Sequence, residues 1–287
     1  MRPHRALMAL TALCAAAGLL ASCSTEASGS NQRSVTAAAP AAGGADLATA
    51  AATYKRYVRA QSAQLVARTG EFVAAVKAGD VPAAKALFPV ARAPWERIEP
   101  VAAGFADLDV AIDARENAVE PGQQWTGFHR LEKSLWVTGH VRGDGPVADR
   151  LLADVRTLAT RLEGITFTPV QMAKGSKELL DEVATGKVTG EEDRYSHTDL
   201  WDFRGNVEGA QAAVAALRPV LVKRDPALLG LLDARFAAVQ KLLASHARGA
   251  GFVTYTELRP AEVRALAVAV DGVAEPLSKV AATVAPR

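Results

Sequence analysis

Cysteine is almost missing from this chain of 287 residues: only Cys14 and Cys23 occur, both near the start. A mature exported form would hold no intramolecular disulfide, so helix packing must supply its stability. No cysteine cluster is there to ligate zinc or an iron–sulfur centre. Aromatic residues are scarce at 6%. No run alternates polar and apolar residues long enough to read as a strand. No stretch sets alternating acids around a glycine as a calcium loop does. Charge of one sign is not in excess either, with 33 Lys+Arg against 31 Asp+Glu. That balance argues against nucleic acid as a partner.

What is present is alanine within a 49% hydrophobic composition, and alanine is the best helix former. The length allows one large domain or two smaller ones with a sizeable core. The first residues read as an export signal. Arg2 and Arg5 form a positive start, and Ala6 to Leu20 is uncharged but short of the ~20 residues of a spanning helix. Leu20-Ala21-Ser22-Cys23 then resembles a bacterial lipobox. We read residues 1–22 as a signal peptide and Cys23 as the lipidated residue. Residues 23–44, poor in large apolar side chains, read as a flexible tether. Removing Arg2 and Arg5 with the leader leaves 31 charges of each sign.

From Leu47 a helical period begins, with Tyr54, Val58, Leu65, Phe72 and Val76 spaced by sums of three and four. Asp80 and Pro82 mark the start of a second helix, expected to end near Pro89. Pro94 is expected to open a short helix carrying Trp95, Glu96, Ile98 and Glu99. Phe105 to Glu116 is acidic on one side, and Pro121-Gly122 marks a turn. The helix of His129 and Glu132 is expected to end near Gly139. Val147 to Leu162 is an amphipathic stripe, and Thr168-Pro169 opens another helix. Gly186 to Tyr195 reads as a polar, acidic connection. Thr198 to Leu217 resumes helix, Asp225-Pro226 caps the next, and Gly249 to Pro260 reads as a long loop. The last helix repeats Val263, Leu266, Val270, Val273, Leu277, Val280 and Val284 at four and three. Pro276 should kink or break it. The fold is therefore expected to be all-α, with eight to ten antiparallel helices forming two bundles at about 45–165 and 166–287.

The chemistry concentrates in pairs at helical spacing: Glu96/Glu99, Asp109/Asp113, Asp113/Glu116 and His129/Glu132. Three- and four-residue spacing puts both members on one helix face. A further acidic and imidazole cluster runs from Glu191 to Asp199. Oxygen-rich sites with one or two imidazoles suit Fe(III), Mn(II) or Zn(II) better than Cu(I). Trp95, Trp125, Phe128 and Trp136 surround these acids with apolar bulk, and a buried carboxylate needs a partner. Arg92, Arg97, Arg115 and Arg130 could be that partner, so a structural Arg–carboxylate network is the rival to a metal site.

Five ordered motifs carry a resemblance: Ala91–Pro100 (ARAPWERIEP), Asp107–Glu116 (DLDVAIDARE), Gly127–Glu132 (GFHRLE), Tyr195–Phe203 (YSHTDLWDF) and Gly251–Tyr255 (GFVTY). Together they resemble the imelysin (M75) family, in its branch of Efe-type iron-uptake components. The resemblance runs from about Ala48 to the C-terminus. It implies two four-helix bundles with a cleft between them, iron binding, and work beside a membrane iron permease and a haem peroxidase-like protein. It places the family signature on His129 and Glu132 and further metal ligands on Glu96, Glu99 and Asp113. Another carboxylate would come from the Glu191–Glu192 pair, taken as Glu192, with His197 and Asp199 as weaker candidates. Members of this branch often carry a cupredoxin-like domain first. Only the short tether precedes the helices here, so the M75-only form is expected, without any copper or ferrous-oxidation role.

The function expected is a lipid-anchored carrier on the outer face of the cell membrane. It would capture iron, Fe(III) in preference, and pass it to a permease. Zinc or another divalent metal would also suit these ligands. A zinc metallopeptidase is the first alternative, but His129-Arg130-Leu131-Glu132 is followed by Lys133, where an inverted zinc motif needs histidine. A polymer-binding lipoprotein with a structurally acidic cleft is the other.

Overall fold

The computed structural model describes residues 44–286, and the fold is all-α with one very small sheet. The leader, Cys23 and nearly all of the tether lie outside the described residues. Ten helices follow in order: α1 Gly44–Ala78, α2 Val81–Glu96, α3 Glu99–Ala102, α4 Ala106–Asp113, α5 Gly127–Lys133, α6 Gly145–Glu163, α7 Pro169–Thr185, α8 Leu200–Arg224, α9 Pro226–Ala244 and α10 Pro260–Val284. The periodic residues point inward as their spacing requires. All five of the stripe residues of α1 are buried, as are Leu228, Leu229, Leu232, Phe236, Val239 and Leu243 of α9. Caps form where the sequence placed them. The Asp80 carboxylate accepts from the Ala83 N–H, and Asp225 from Leu228. Thr168 and Gln171 cap each other at the start of α7.

The prolines behave differently from expectation. α2 does not end near Pro89 but runs through Pro89 and Pro94 to Glu96; α10 runs through Pro276 as well. Each proline forgoes one intrahelical hydrogen bond. All three rings are buried, so packing outweighs the local cost. Across the start of the loop expected from Gly249, β1 (Ala247–Arg248) just before it pairs antiparallel with β2 (Gly251–Phe252), two residues each and too short to show a period.

α1 packs against both α2 and α6, α8 and α10 each pack against α7, α9 and one another, and α8 also lies along α1 and α2. Residues 164–168 join the two groups. We keep the division into two bundles there as a proposal, since all described residues fall in one packing unit. Contact between the groups is close. A Cβ on Gly205 would lie 2.5 Å from that of Glu96, and one on Gly209 would lie 2.4 Å from the Arg97 carbonyl oxygen. Small residues one helical turn apart thus let α8 rest on the end of α2, where Asn206 Nδ2 donates to the Glu96 carbonyl at 2.9 Å. Gly209→Ala should therefore cost about 1–3 kcal/mol through overpacking. Gly230→Ala, where an added Cβ meets nothing, should instead gain about 0.5–1 kcal/mol. Urea unfolding of the two variants checks both signs.

Candidate metal centre

Six segments aim polar side chains at one interior region. The last turn of α2 carries Arg92 and Glu96 on one face, α3 opens with Glu99, and α4 ends at Asp113. α5 supplies His129 and Glu132. The connection before α8 supplies Lys187, Glu192, Asp193 and Asp199, and α8 itself supplies Asp202 and Asn206. Gly127 sets the junction between α4 and α5. Its φ is +85°, and a Cβ there would sit 2.2 Å from the Ile112 carbonyl oxygen. That contact brings His129 beside Asp113.

The imidazole is held at one edge and open at the other. His129 Nδ1 lies 2.9 Å from Glu132 Oε2. The second oxygen of Glu132 accepts from the backbone N–H groups of Tyr195 (2.9 Å) and Ser196 (2.7 Å). His129 Nε2 is buried without a hydrogen-bond partner. It stands 3.6 Å from Asp113 Oδ1 and 3.6 Å from Glu192 Oε1. Ligand atoms of Asp113, His129 and Glu192 fall within 4.8 Å of one another, and those of His129, Glu132 and Asp193 do so too. Of the residues singled out by sequence, Asp113, His129, Glu132 and Glu192 come together.

Glu96 and Glu99 converge next to them on two cations. Arg92 Nη2 reaches Glu96 at 2.5 Å, and Lys187 pairs with Glu96 and, at 2.8 Å, with Glu99. Asn206 Nδ2 joins both carboxylates at 3.1 and 3.2 Å. Arg92 also pairs with Asp113, and its guanidinium lies within 3.7 Å of Glu192, Asp193 and Asp202. Trp95 Nε1 fixes the other oxygen of Asp113 at 2.9 Å. The arginine network foreseen as a rival is therefore present beside the imidazole cluster. Arg115 joins it at 3.3 Å from Glu192, whereas Arg97 turns to Glu208 and Arg130 to Asp144. Asp199 lies behind, accepting from the Asp193 N–H, and His197 belongs to neither grouping.

The segment read as a polar connection is instead part of the interior, with Lys187, Glu192 and Asp193 buried. Lys187, Asp202 and Asn206 were not singled out as site residues by sequence, and Asp193 was covered only as part of the Glu191–Asp199 cluster. Asp202 and Asn206 did carry a signal, four residues apart on one face between the apolar Phe203 and Val207. Lys187 carried none.

Burial and mutual repulsion dominate the acids. Desolvation raises Glu99, Asp113, Asp193 and Asp202 despite nearby cations, the last two well above the aspartate range. Asp199 and the half-buried Asp109 rise from 3.8 to about 6. Glu132 and Glu192 are held low despite burial, because the His129 bond and two backbone donors act on Glu132 while the Lys187, His129 and Arg92 charges act on Glu192. For His129, burial and Arg92 push the pKa down, but Glu132, Glu192 and Asp113 prevail and raise it to about 10. The metal-free cluster thus stores protons on both carboxyls and imidazole.

Toward solvent the cluster meets a narrow cleft lined by Arg115, Glu116, His129, Glu132, Glu192, Arg194 and Tyr195, with no room for a free water molecule. Tyr195 Oη donates to Glu116 at 2.7 Å, and Lys133 pairs with the same carboxylate at 2.5 Å.

Residues 50–280 match the model of the Imelysin family. This chain belongs to the imelysin family. The imelysin domain is also similar to proteins named iron uptake system component EfeO. It is 46% identical to that of Escherichia coli O157:H7 and 45% identical to those of Escherichia coli K12 and Shigella flexneri, each over 236 residues. The alignments cover 81% of this chain and 63% of each relative, so the chain matches less than two thirds of their length. Among the described residues of the imelysin domain, no helix is long and apolar enough to cross a membrane.

The stored protons give a pH dependence. Asp109 and Asp199 stabilise the fold fully below their ordinary value of 3.8 and lose that contribution as pH rises through about 6. His129 likewise contributes fully below 6.5 and loses it as pH rises through about 10. Glu132 and Glu192 act in the opposite sense, but only at acidity below the ordinary glutamate value of 4.5. The metal-free domain, kept in chelator, should therefore melt at a higher temperature near pH 5 than near pH 8, read by circular dichroism.

Proposed function

We propose that this imelysin is the iron-binding component of an Efe-type uptake system in the cell envelope. The observation that carries it is the unpartnered, buried Nε2 of His129 facing Asp113 and Glu192 while Glu132 grips Nδ1. A metal-ligating histidine usually donates its other ring N–H to a carboxylate, which fixes the ring. Glu132, saturated by His129 and two backbone donors, is on this reading the residue that orients the ligand. Asp113, His129 and Glu192 bind the ion directly. Glu96 and Glu99 adjoin them as a second pair of acids. Two carboxylates and one imidazole form a hard set suited to iron in preference to Cu(I), Fe(III) above Fe(II). The names of the EfeO relatives support iron as the cargo.

The rest of the pathway follows from the same reading. Residues 1–22 would direct export, and a lipid on Cys23 would anchor the domain outside the cell membrane. A membrane iron permease would receive the ion, beside a haem peroxidase-like partner. A peptidase role has less support. Catalytic zinc sites of the familiar peptidases take two histidines and a glutamate, whereas both groupings here share the single imidazole of His129.

Equilibrium dialysis with Fe(III)–citrate and calorimetry with Mn(II) test this reading. His129→Gln and Asp113→Asn should abolish the high-affinity equivalent, and Glu132→Gln should weaken it by about 10–100-fold. Full binding by His129→Gln would remove the assignment. Because His129 is protonated up to about pH 10 in the metal-free domain, binding at neutral pH must expel that proton. Affinity should rise with pH, and calorimetry in buffers of different ionisation enthalpy should show at least one proton released per ion.

A further inference from the structure

Lys187 follows Gly186, the residue that ends α7, and lies in a single turn of residues 187–189 closed by Gly190 at φ +73°. Its side chain is fully buried, which lysine rarely tolerates unpaired. The ammonium pairs with Glu96, donates to Glu99 at 2.8 Å and stands 3.8 Å from Glu182. It therefore holds together two carboxylates that a metal ion would otherwise draw in. Arg92 cannot yield in the same way. Five acids lie within 3.7 Å of its guanidinium, which also sits beside the rings of Phe88 and Phe128 at 5.9 and 5.8 Å. Lys187 has a flexible four-carbon stem, a point charge and a place in a short connecting turn. Glu182, 44% exposed, offers the ammonium a partner nearer solvent.

We propose that Lys187 is a tethered counter-cation that competes with the bound metal ion for the carboxylates of Glu96 and Glu99, keeping the ion exchangeable. This rests on the carrier reading above. In the metal-free protein the ammonium holds the two acids together. When an ion binds at Asp113, His129 and Glu192, the ammonium withdraws toward Glu182, and Glu96 and Glu99 turn to the ion. The lysine thus weakens binding, and a domain built to pass its cargo on requires that.

Calorimetric titration of the intact domain with Mn(II), and with Fe(II) under anaerobic conditions, tests the idea on wild type, Lys187→Met and Lys187→Arg. Lys187→Met should bind at least about tenfold more tightly and release the ion more slowly, since a neighbouring positive charge has been removed. Lys187→Arg should stay within about threefold of wild type because the charge remains. Adding Glu99→Gln to Lys187→Met should return the affinity toward wild type. A folded Lys187→Met that binds no more tightly than wild type overturns the proposal. If Lys187→Met is unfolded alone, recovery of its helical circular dichroism at saturating Mn(II) supports competition, and failure to recover overturns it. Absence of binding by the wild type defeats the carrier reading first, and this proposal with it.

Discussion

The interior of this protein is organised by a shortage of positive charge. Glu96, Glu132, Glu192, Asp193, Asp199 and Asp202 are buried together, and the buried cations among them are Arg92, Lys187 and the imidazole of His129. Six acids against three cations cannot all be ionised in a poorly solvated interior, because an unpaired buried charge costs far more than a hydrogen bond returns. Burial and repulsion from neighbouring acids push Asp193 and Asp202 far up, so in the metal-free state protons close the difference. A multivalent cation closes the same difference with one particle. The cluster is thus a structural Arg–carboxylate network and a candidate metal centre at once, and the two descriptions that compete in the sequence describe adjoining halves of one arrangement.

Its position explains how such an interior is assembled. α2, α4 and α5 deliver one part of the cluster; α8 and the segment before it deliver the other. The glycines of α8 permit backbone contact with the end of α2, so Asn206 can span Glu96 and Glu99. Gly127 does the same between α4 and α5. The charged side chains are held by tight backbone approaches near them as much as by their own pairing.

Much of this was legible in the chain. The stripes of α1, α9 and α10 follow from spacing, because a helix face buries whatever recurs at three and four. The pairing of His129 with Glu132 also follows from spacing, and its meeting with Asp113 and Glu192 was given by the resemblance. Lys187 was not legible, because periodicity says nothing about which way a residue in a connecting turn points. The three prolines misled because their local cost is set against tertiary packing, which local rules do not weigh. Glu132 shows a subtler limit. Spacing brings it to His129, but only its two backbone donors reveal that its oxygens are already occupied.

The bond between Tyr195 and Glu116 has a kinetic consequence. Any ion reaching His129 past these residues would have to part a phenol from a carboxylate and open a cleft that leaves no room for a free water. The speed of loading and unloading would then be a property of two polypeptide segments moving apart, largely independent of how strongly the ion is held inside. A protein that docked on that rim and drew Tyr195 aside could hasten discharge without touching a single ligand.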